Sequence, residues 1–271
     1  MKNKNIFVLF LVLSFCTHSY PQHKEKIMEI NDNSSVDKGT YRMCFVRRAP
    51  VVEPMDLSPM LHSLLYKLEQ EDSTLFSLKG YSPGMQEVAV FHSGENRIDA
   101  FLATSKIEWN FGRDKIDPTH EIIFFNNYTG LRNVYFRMSF VAEGEVSDGP
   151  GIVMELKLRY DVVAKESLKQ GVYIEKLFSL FVTALNPDFG YVELPGHPNS
   201  IERPQSFEVG WLTYFSHKER KIEKDIFPPS MMVKINDIGT KIFATPSLSG
   251  ETYNDIANQI NLIHRKLTSK K

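Results

Sequence analysis

Two neighbouring stretches of the chain alternate between apolar and polar residues with a strict period of two. In the first, Val134, Phe136, Met138 and Phe140 alternate with Tyr135, Arg137 and Ser139. In the second, Ile152, Met154, Leu156, Leu158 and Tyr160 alternate with Glu155, Lys157, Arg159 and Asp161. Side chains of an extended chain point to opposite faces in turn, so each stretch reads as a strand with one face on a core and the other in water. A helix cannot satisfy this pattern. The connection EGEVSDGPG, with Gly144, Gly149 and Gly151, resembles a hairpin link. The charges of both signs at Glu155, Lys157, Arg159 and Asp161 are expected to form a solvated sheet face.

Around this pair the other elements fall into place. Tyr41, Met43 and Phe45 alternate with Arg42, Cys44 and Val46 as a further strand. Shorter strands are expected over 87–91, 121–126, 190–194 and 207–216, and a hairpin over 231–235 and 240–245 turns near Asn236 and Asp237. Ser58-Pro59 opens a helix, with Ser58 as cap and Pro59 at the first helical position, and Leu61, Leu64, Leu65 and Leu68 mark its apolar face. Ile174, Leu177, Phe178, Phe181, Val182 and Leu185 share one face of a longer helix, which Asn186-Pro187-Asp188 ends. Thr252 and Asp255 form a capping-box pattern ahead of Tyr253, Ile256, Ala257, Ile260, Ile263 and Leu267. Strands joined by short connections, with three helices to pack on them, imply an α+β fold with a mainly antiparallel sheet.

The N-terminus reads as an address. Lys2 and Lys4 precede an apolar run from Ile6 to Cys16, and Thr17-His18-Ser19 offers small residues for a cut before Tyr20. Residues 1–19 are therefore expected to be a cleaved signal peptide, too short for a permanent membrane span. The expected destination is the periplasm or the exterior. Cys16 raises the alternative of a lipid anchor, but Phe15 stands where a lipoprotein signal carries a small residue. Residues 20–40 are polar and unpatterned, a flexible mature N-terminus, and residues 41–271 hold no linker or repeat, so they are expected to form a single domain. Of 271 residues, 42% are hydrophobic and 24% charged, enough for a full core. Cleavage removes two lysines and no acid, leaving 30 basic against 33 acidic residues, a net charge of −3. A general nucleic-acid binder should be clearly basic, so no nucleic-acid partner is expected. After cleavage Cys44 is the one remaining cysteine and reads as a small buried hydrophobe.

Motifs for catalysis are hard to find. There is no G-x-S-x-G turn for a nucleophilic serine, and the histidines His62, His92, His120, His197, His217 and His264 are scattered singly, without the paired spacing of zinc proteases. Asp117-Pro118-Thr119-His120-Glu121 is the densest polar cluster, and a turn capped by Asp117 before a strand accounts for it. Paired carboxylates drawn from separate strands remain open, because their spacing is spatial rather than sequential. No cofactor and no metal is expected. Glu143, Glu145 and Asp148 sit together on the EGEVSDGPG connection, where they either keep an exposed turn soluble or meet a basic partner.

One further stretch is conspicuous. GWLTYFS, residues 210–216, holds three aromatic rings and no charge. Phe207, Val209, Trp211, Thr213 and Phe215 would face one way, with Leu212 and Tyr214 opposite beside Gly210. Apolar side chains on both faces read as a core strand rather than an exposed recognition patch, and Gly210 as a point of close approach or a bulge.

The order of these pieces resembles a known family. Leu75-Phe76-Ser77-Leu78-Lys79-Gly80-Tyr81-Ser82 followed by Ala89-Val90-Phe91, then Asp188-Phe189-Gly190-Tyr191, Gly210-Trp211-Leu212-Thr213-Tyr214, Pro228-Pro229, and Gly239-Thr240 with Ile242 and Ala244-Thr245 ahead of a final amphipathic helix, is similar to the bacterial immunity protein family numbered 52 in the polymorphic-toxin classification. The likeness spans roughly residues 57 to 267, with Gly80, Gly190, Gly210, Trp211, Tyr214 and Gly239 as its structural positions. What the resemblance implies is a non-catalytic inhibitor of one cognate protein toxin, probed most directly through the product of an adjacent gene. It also implies partners that include nuclease-type toxins acting on cytoplasmic nucleic acid. An exported chain fits that target only by stopping the toxin in transit, so an envelope-targeting toxin is equally open. The alternatives are an envelope hydrolase with acid and base from separate strands, and a structural envelope lipoprotein.

Overall fold

The computed structural model describes residues 40–48, 54–81, 88–91, 98–99, 102, 120–128, 131–141, 151–159, 171–195, 209–248 and 251–269, all within the unit Lys38–Lys271. In chain order the elements are β1 (Thr40–Arg48), a 3-10 turn (Pro54–Leu57), α1 (Ser58–Glu71), β2 (Leu78–Tyr81), β3 (Val88–Phe91), β4 (His120–Tyr128), β5 (Leu131–Val141) and β6 (Gly151–Arg159). There follow α2 (Val172–Leu185), β7 (Phe189–Glu193), β8 (Leu212–Ser216), a second 3-10 turn (Lys224–Ile226), β9 (Met232–Ile235), β10 (Gly239–Phe243) and α3 (Tyr253–Thr268). The described strands form one 10-stranded sheet, ordered β3-β2-β4-β5-β6-β1-β7-β8-β10-β9, with every described pairing antiparallel.

The two alternating stretches are β5 and β6, and they pair as expected: Val134 lies opposite Leu158, Phe136 opposite Leu156 and Met138 opposite Met154. All six are buried. The sequence order does not anticipate the position of β1, which lies between β6 and β7 and joins the β4-β5-β6 meander to the C-terminal strands. Its composition explains why it tolerates the centre. Tyr41, Met43 and Phe45 are buried on one face, and Cys44 and Val46 on the other. A strand that is dry on much of both faces is well suited to a central place in the sheet.

The helix α2 covers one face of this sheet. Its six apolar positions from Ile174 to Leu185 are all buried. Phe45 of β1 stacks on Phe181 with ring centroids 5.2 Å apart and lies 4.8 Å from Phe178, while Phe136 of β5 meets Phe181 edge-on at 5.3 Å. Each such ring withdrawn from water contributes roughly 1.5–3 kcal/mol. Packed against α2 is α1, which buries Leu61, Leu64, Leu65 and Leu68. The helix α3 opens on the expected capping box. The Thr252 hydroxyl accepts from the Asp255 N–H, and the Asp255 carboxylate accepts from the Thr252 N–H. Its Ile256, Ile260, Ile263 and Leu267 enter the same hydrophobic cluster as the sheet and the other two helices. The fold is α+β around one core.

Two local expectations change. Ser58 does not cap α1: it is the first helical residue, Leu57 occupies the cap position without a side-chain bond, and the Ser58 hydroxyl donates to Asp99 instead. The 3-10 turn runs straight into the helix, so no extended cap residue precedes it. The strand expected over 207–216 begins at Leu212, after a bend at Trp211, and residues 201–208 lie outside the described set.

Candidate functional site

On the face of β5, β6, β1 and β7 turned away from α2, five charged side chains cross four neighbouring strands. Arg137 lies opposite Glu155, and Arg42 lies opposite both Lys157 and Glu193. Arg42 Nε donates to Glu155 Oε1, and Arg42 Nη1 donates to Glu193 Oε2 at 3.0 Å. Arg137 Nη2 stands 3.0 Å from Glu155 Oε2, and Lys157 Nζ stands 3.8 Å from Oε1. The Glu155 side chain is only 3% exposed, while those of Arg42, Arg137 and Lys157 are 29%, 33% and 44% exposed.

Glu155 therefore corrects the expectation of a fully solvated face. Alternation tells which way a side chain points and not whether water reaches it. Here three long cationic side chains crowd the carboxylate and keep their own heads partly wet. Burial alone would raise the Glu155 carboxyl, but the charges of Arg42, Lys157 and Arg137 outweigh it and hold the group below its ordinary value. Burial likewise opposes the charge on Arg42, and Glu155 and Glu193 more than restore it. A carboxylate held ionised in this way makes a fixed charge pattern; it is poorly suited to donate a proton at neutral pH.

The arrangement closest to a catalytic constellation lies at α1. Ser58 and His62, one helical turn apart, both address Asp99: the hydroxyl donates to Oδ1, and His62 Nε2 lies 3.3 Å from the same atom. The hydroxyl thus donates to the Asp99 carboxylate and not to His62, whereas a nucleophilic serine of a triad hands its proton to the imidazole. The hydrogen bond from Ser58, and after it the contact with His62, hold Asp99 below its ordinary value against the opposing effect of burial. Of the other polar cluster, Asp117 is outside the described residues. His120 and Glu121 fall in β4, where their side chains are not described. Among the described residues no group of three His, Cys, Asp or Glu side chains could hold a metal ion. No described helix is long and apolar enough to cross a membrane.

GWLTYFS is core, as its apolar faces imply: residues 210–216 are all buried. A Cβ on Gly210 would land on the backbone carbonyl oxygen of Val192 in β7, so glycine there permits the approach in which the Trp211 N–H donates to that oxygen at 2.9 Å. The Thr213 hydroxyl accepts from the Gly210 N–H at 3.1 Å and fixes the bend. This bend revises one side assignment. The Trp211 indole does not simply alternate with Leu212; it packs edge-on against Phe243, at 5.7 Å, beside Gly171 at the start of α2.

Tyr214 belongs to the face that meets α2, because it pairs with Lys241, whose ammonium donates to Ser179 of α2 at 2.6 Å. Its hydroxyl donates to the Ile238 carbonyl at 3.2 Å. Gly239 leaves room for the Tyr214 ring, which a Cβ would strike. Gly190 sits in β7 opposite Tyr214. The remaining family-like glycine, Gly80, lies far across the sheet in β2, where pairing with β3 shifts register.

Glu143, Glu145 and Asp148, the acidic residues expected either to keep a turn soluble or to meet a basic partner, lie outside the described residues, as do residues 1–19 with Cys16. Among the described residues, the large apolar side chains that reach solvent are Tyr66, Val172, Ile235 and Ile238. The last two flank the Asn236-Asp237 turn of the β9–β10 hairpin. Sequence reasoning placed that turn but passed over its two isoleucines, whose pattern matches that of any edge strand. It also missed Arg42 as the partner of both Glu155 and Glu193, because that pairing exists only once β1 lies between β6 and β7.

No protein-family model and no curated protein matches the chain. Among solved structures, the T6SS protein PA0821 of Pseudomonas aeruginosa is similar with a TM-score of 0.47 and 12% identity, over 83% of this chain and 74% of that one.

Proposed function

We propose that this chain is an exported immunity protein, a binder without turnover that neutralises a cognate protein toxin by covering it. The observation that carries the reading is where the residues of the family resemblance lie. Residues 188–191, 210–214, 239–240, 242 and 244 all belong to the adjoining strands β7, β8 and β10 or to their immediate flanks. They touch one another. The Asp188 carbonyl accepts from the Ser216 N–H at 2.9 Å, the Trp211 carbonyl accepts from the Ala244 N–H at 2.8 Å, and Tyr214 reaches Ile238 beside Gly239. This C-terminal part of the ordered motif is thus one packing unit, which is what a shared scaffold would preserve in sequence, while its early part, with Gly80, lies across the sheet in β2 and β3.

A rigid scaffold suits inhibition by occlusion. A stable complex needs about 800 Å² from each partner, and a surface already held in shape loses little entropy on docking. The charge pattern held around Glu155 is of the kind that steers encounter and rejects wrong partners. Export follows from the expected signal peptide, and it places the encounter with the toxin in the periplasm.

The test is co-expression with the product of the adjacent gene, directed to the same compartment. Growth should be restored by this chain, and the two proteins should co-purify as a complex through gel filtration. A harmless neighbour, or a complex that does not survive the column, sinks the reading.

A further inference from the structure

Building on the binding reading above, we propose that the sheet face turned away from α2 is the docking surface for an acidic patch of the partner protein, with Lys157 and Lys79 as the cations that reach it. Opposed residues of an antiparallel sheet share a face. Lys79, Phe125, Tyr135, Lys157, Arg42 and Glu193 therefore form one row across β2, β4, β5, β6, β1 and β7. The charged members of the next row are Arg137 and Glu155. Together the two rows hold four cations, Lys79, Arg137, Lys157 and Arg42, against two acids, Glu155 and Glu193.

Depth sets what a partner meets. The Glu155 carboxylate lies at the bottom of the cluster, buried, while the cationic side chains that crowd it reach water. An approaching surface therefore meets cationic heads before the acid beneath them. Arg42 is committed, since Nε donates to Glu155 and Nη1 to Glu193. Lys157 is not. Its Nζ stands 3.8 Å from Glu155 Oε1, beyond hydrogen-bond reach, and 6.0 Å from the centre of the Tyr135 ring, so its N–H donors can turn outward. Lys79 is half-buried at the far end of the row and has no ion pair among the described residues. The sheet fixes the two lysines three strand spacings apart, about 14 Å. Strands already in place leave little ordering entropy to oppose docking.

The occupant follows from charge and place. A second copy of this chain would bring the face against itself about a two-fold axis, cation on cation. Nucleic acid asks for a cationic track that neutralises a run of phosphates. Here Glu193 ends the row at β7, and the whole chain holds 32 basic against 33 acidic residues. A lipid surface asks for apolar side chains beside the charges. The exposed large apolar residues among those described lie instead in α1, at the start of α2 and at the β9–β10 hairpin. What fits is a protein surface that offers a few carboxylates to a few fixed cations. Five strand spacings make the row about 24 Å long, enough to run through a docking patch of about 800 Å².

The experiment follows association of the full chain with the purified product of the adjacent gene as salt is raised. For the unaltered chain, association should slow steeply with salt. The double variant Lys79→Gln, Lys157→Gln should associate about tenfold more slowly at low salt and lose most of the salt dependence, with dissociation changed less. Melting temperatures should stay close to that of the unaltered chain, because neither lysine is buried. Lys176→Gln removes an exposed cation from α2, on the other side of the sheet, and should leave the rate within about twofold. If the unaltered chain binds and the double variant keeps its association rate and salt slope, the surface is wrong while the immunity reading stands. A loss at Lys176 as large as that at the two lysines also overturns the surface. So does a double variant that releases duplex DNA or phosphatidylglycerol vesicles while its complex with the protein is unchanged. If the unaltered chain forms no complex, the immunity reading falls and the surface with it.

Discussion

At β8 the chain is dry on both faces, whereas at β6 it is dry on one and charged on the other. In the first region Tyr214 and Leu212 point toward the α2 side, and Phe215 and Thr213 point away from it, yet all four are buried. Phe215 lies 5.0 Å from Phe189, ring to ring. In the second region Met154 and Leu156 are buried on the α2 side, and Glu155 is buried on the other by cations. The first region is held by close approach of backbones, the second by matched charge. Steric contact is unforgiving and independent of pH; charge matching tolerates small shifts but depends on ionisation.

The largest expected effect tests the steric half of that contrast. Gly210→Ala would put a methyl group onto the Val192 carbonyl oxygen, and neither backbone can yield without breaking the Trp211–Val192 bond. Destabilisation of about 3 kcal/mol or more, or failure to fold, is expected. Gly151→Ala is the matched control in the charged region. There the new Cβ would stand 2.9 Å from the Arg47 carbonyl oxygen, at the end of the β1–β6 pairing, a smaller overlap that the strand end must still shift to relieve. About 1 kcal/mol is expected. Urea unfolding of both variants decides the matter: equal losses would mean that the two regions are packed alike.

Charge matching is broken next. Glu155→Gln keeps the shape and removes the charge, leaving Arg42 with Glu193 and Arg137 without its carboxylate partner at this position. Because the cations remain partly wet, the loss should stay near 2 kcal/mol, short of what a fully buried pair would give. The pH dependence has a definite sign. The folded carboxyl lies below its ordinary value of 4.5, so its contribution is complete above that pH and is lost as pH falls through the lower folded value. The stability gap between the parent chain and Glu155→Gln should therefore be constant at neutral pH and close in acid. A gap that persists unchanged in strong acid would show that packing, not charge, is what Glu155 supplies.

Much of the architecture could be read before the fold was seen, and the reason is periodicity. Val134 to Phe140 and Ile174 to Leu185 each repeat at the period of their element, and Thr252 with Asp255 marks a helix start that needs no tertiary help. What stayed hidden depends on contacts between distant residues. Nothing local says that β1 inserts between β6 and β7, and without that insertion Glu155 has no Arg42, 113 positions away. Ser58 looks like a cap, but Asp99 claims its hydroxyl from 41 positions on. The exposure of Ile235 was hidden for a different reason. Ile235 fits the strand pattern whether it is covered or exposed, and only its place at the end of the edge strand β9 decides.

The smallest effect ties the dry region to its pH behaviour. Tyr214→Phe removes one hydrogen bond to the Ile238 carbonyl, which keeps the His217 N–H, so about 1 kcal/mol should be lost at neutral pH. Burial, and then the nearby charge of Asp188, pushes the Tyr214 hydroxyl up to about 12 from an ordinary 10.0. An unfolded tyrosine ionises first as pH rises, so the stabilisation from Tyr214 is complete below 10 and drains away toward 12. Tyr173, also raised by burial and by Asp72 and Glu71, is present in both proteins and cancels in the comparison. The gap between the parent chain and Tyr214→Phe should thus narrow in alkali, where the gap for Glu155→Gln does not change. Urea midpoints of the two variants across the full pH range would then separate at opposite ends, acid for the charged strands and alkali for the dry ones. If both gaps respond at the same end, the division of the sheet into a steric half and an ionic half does not hold.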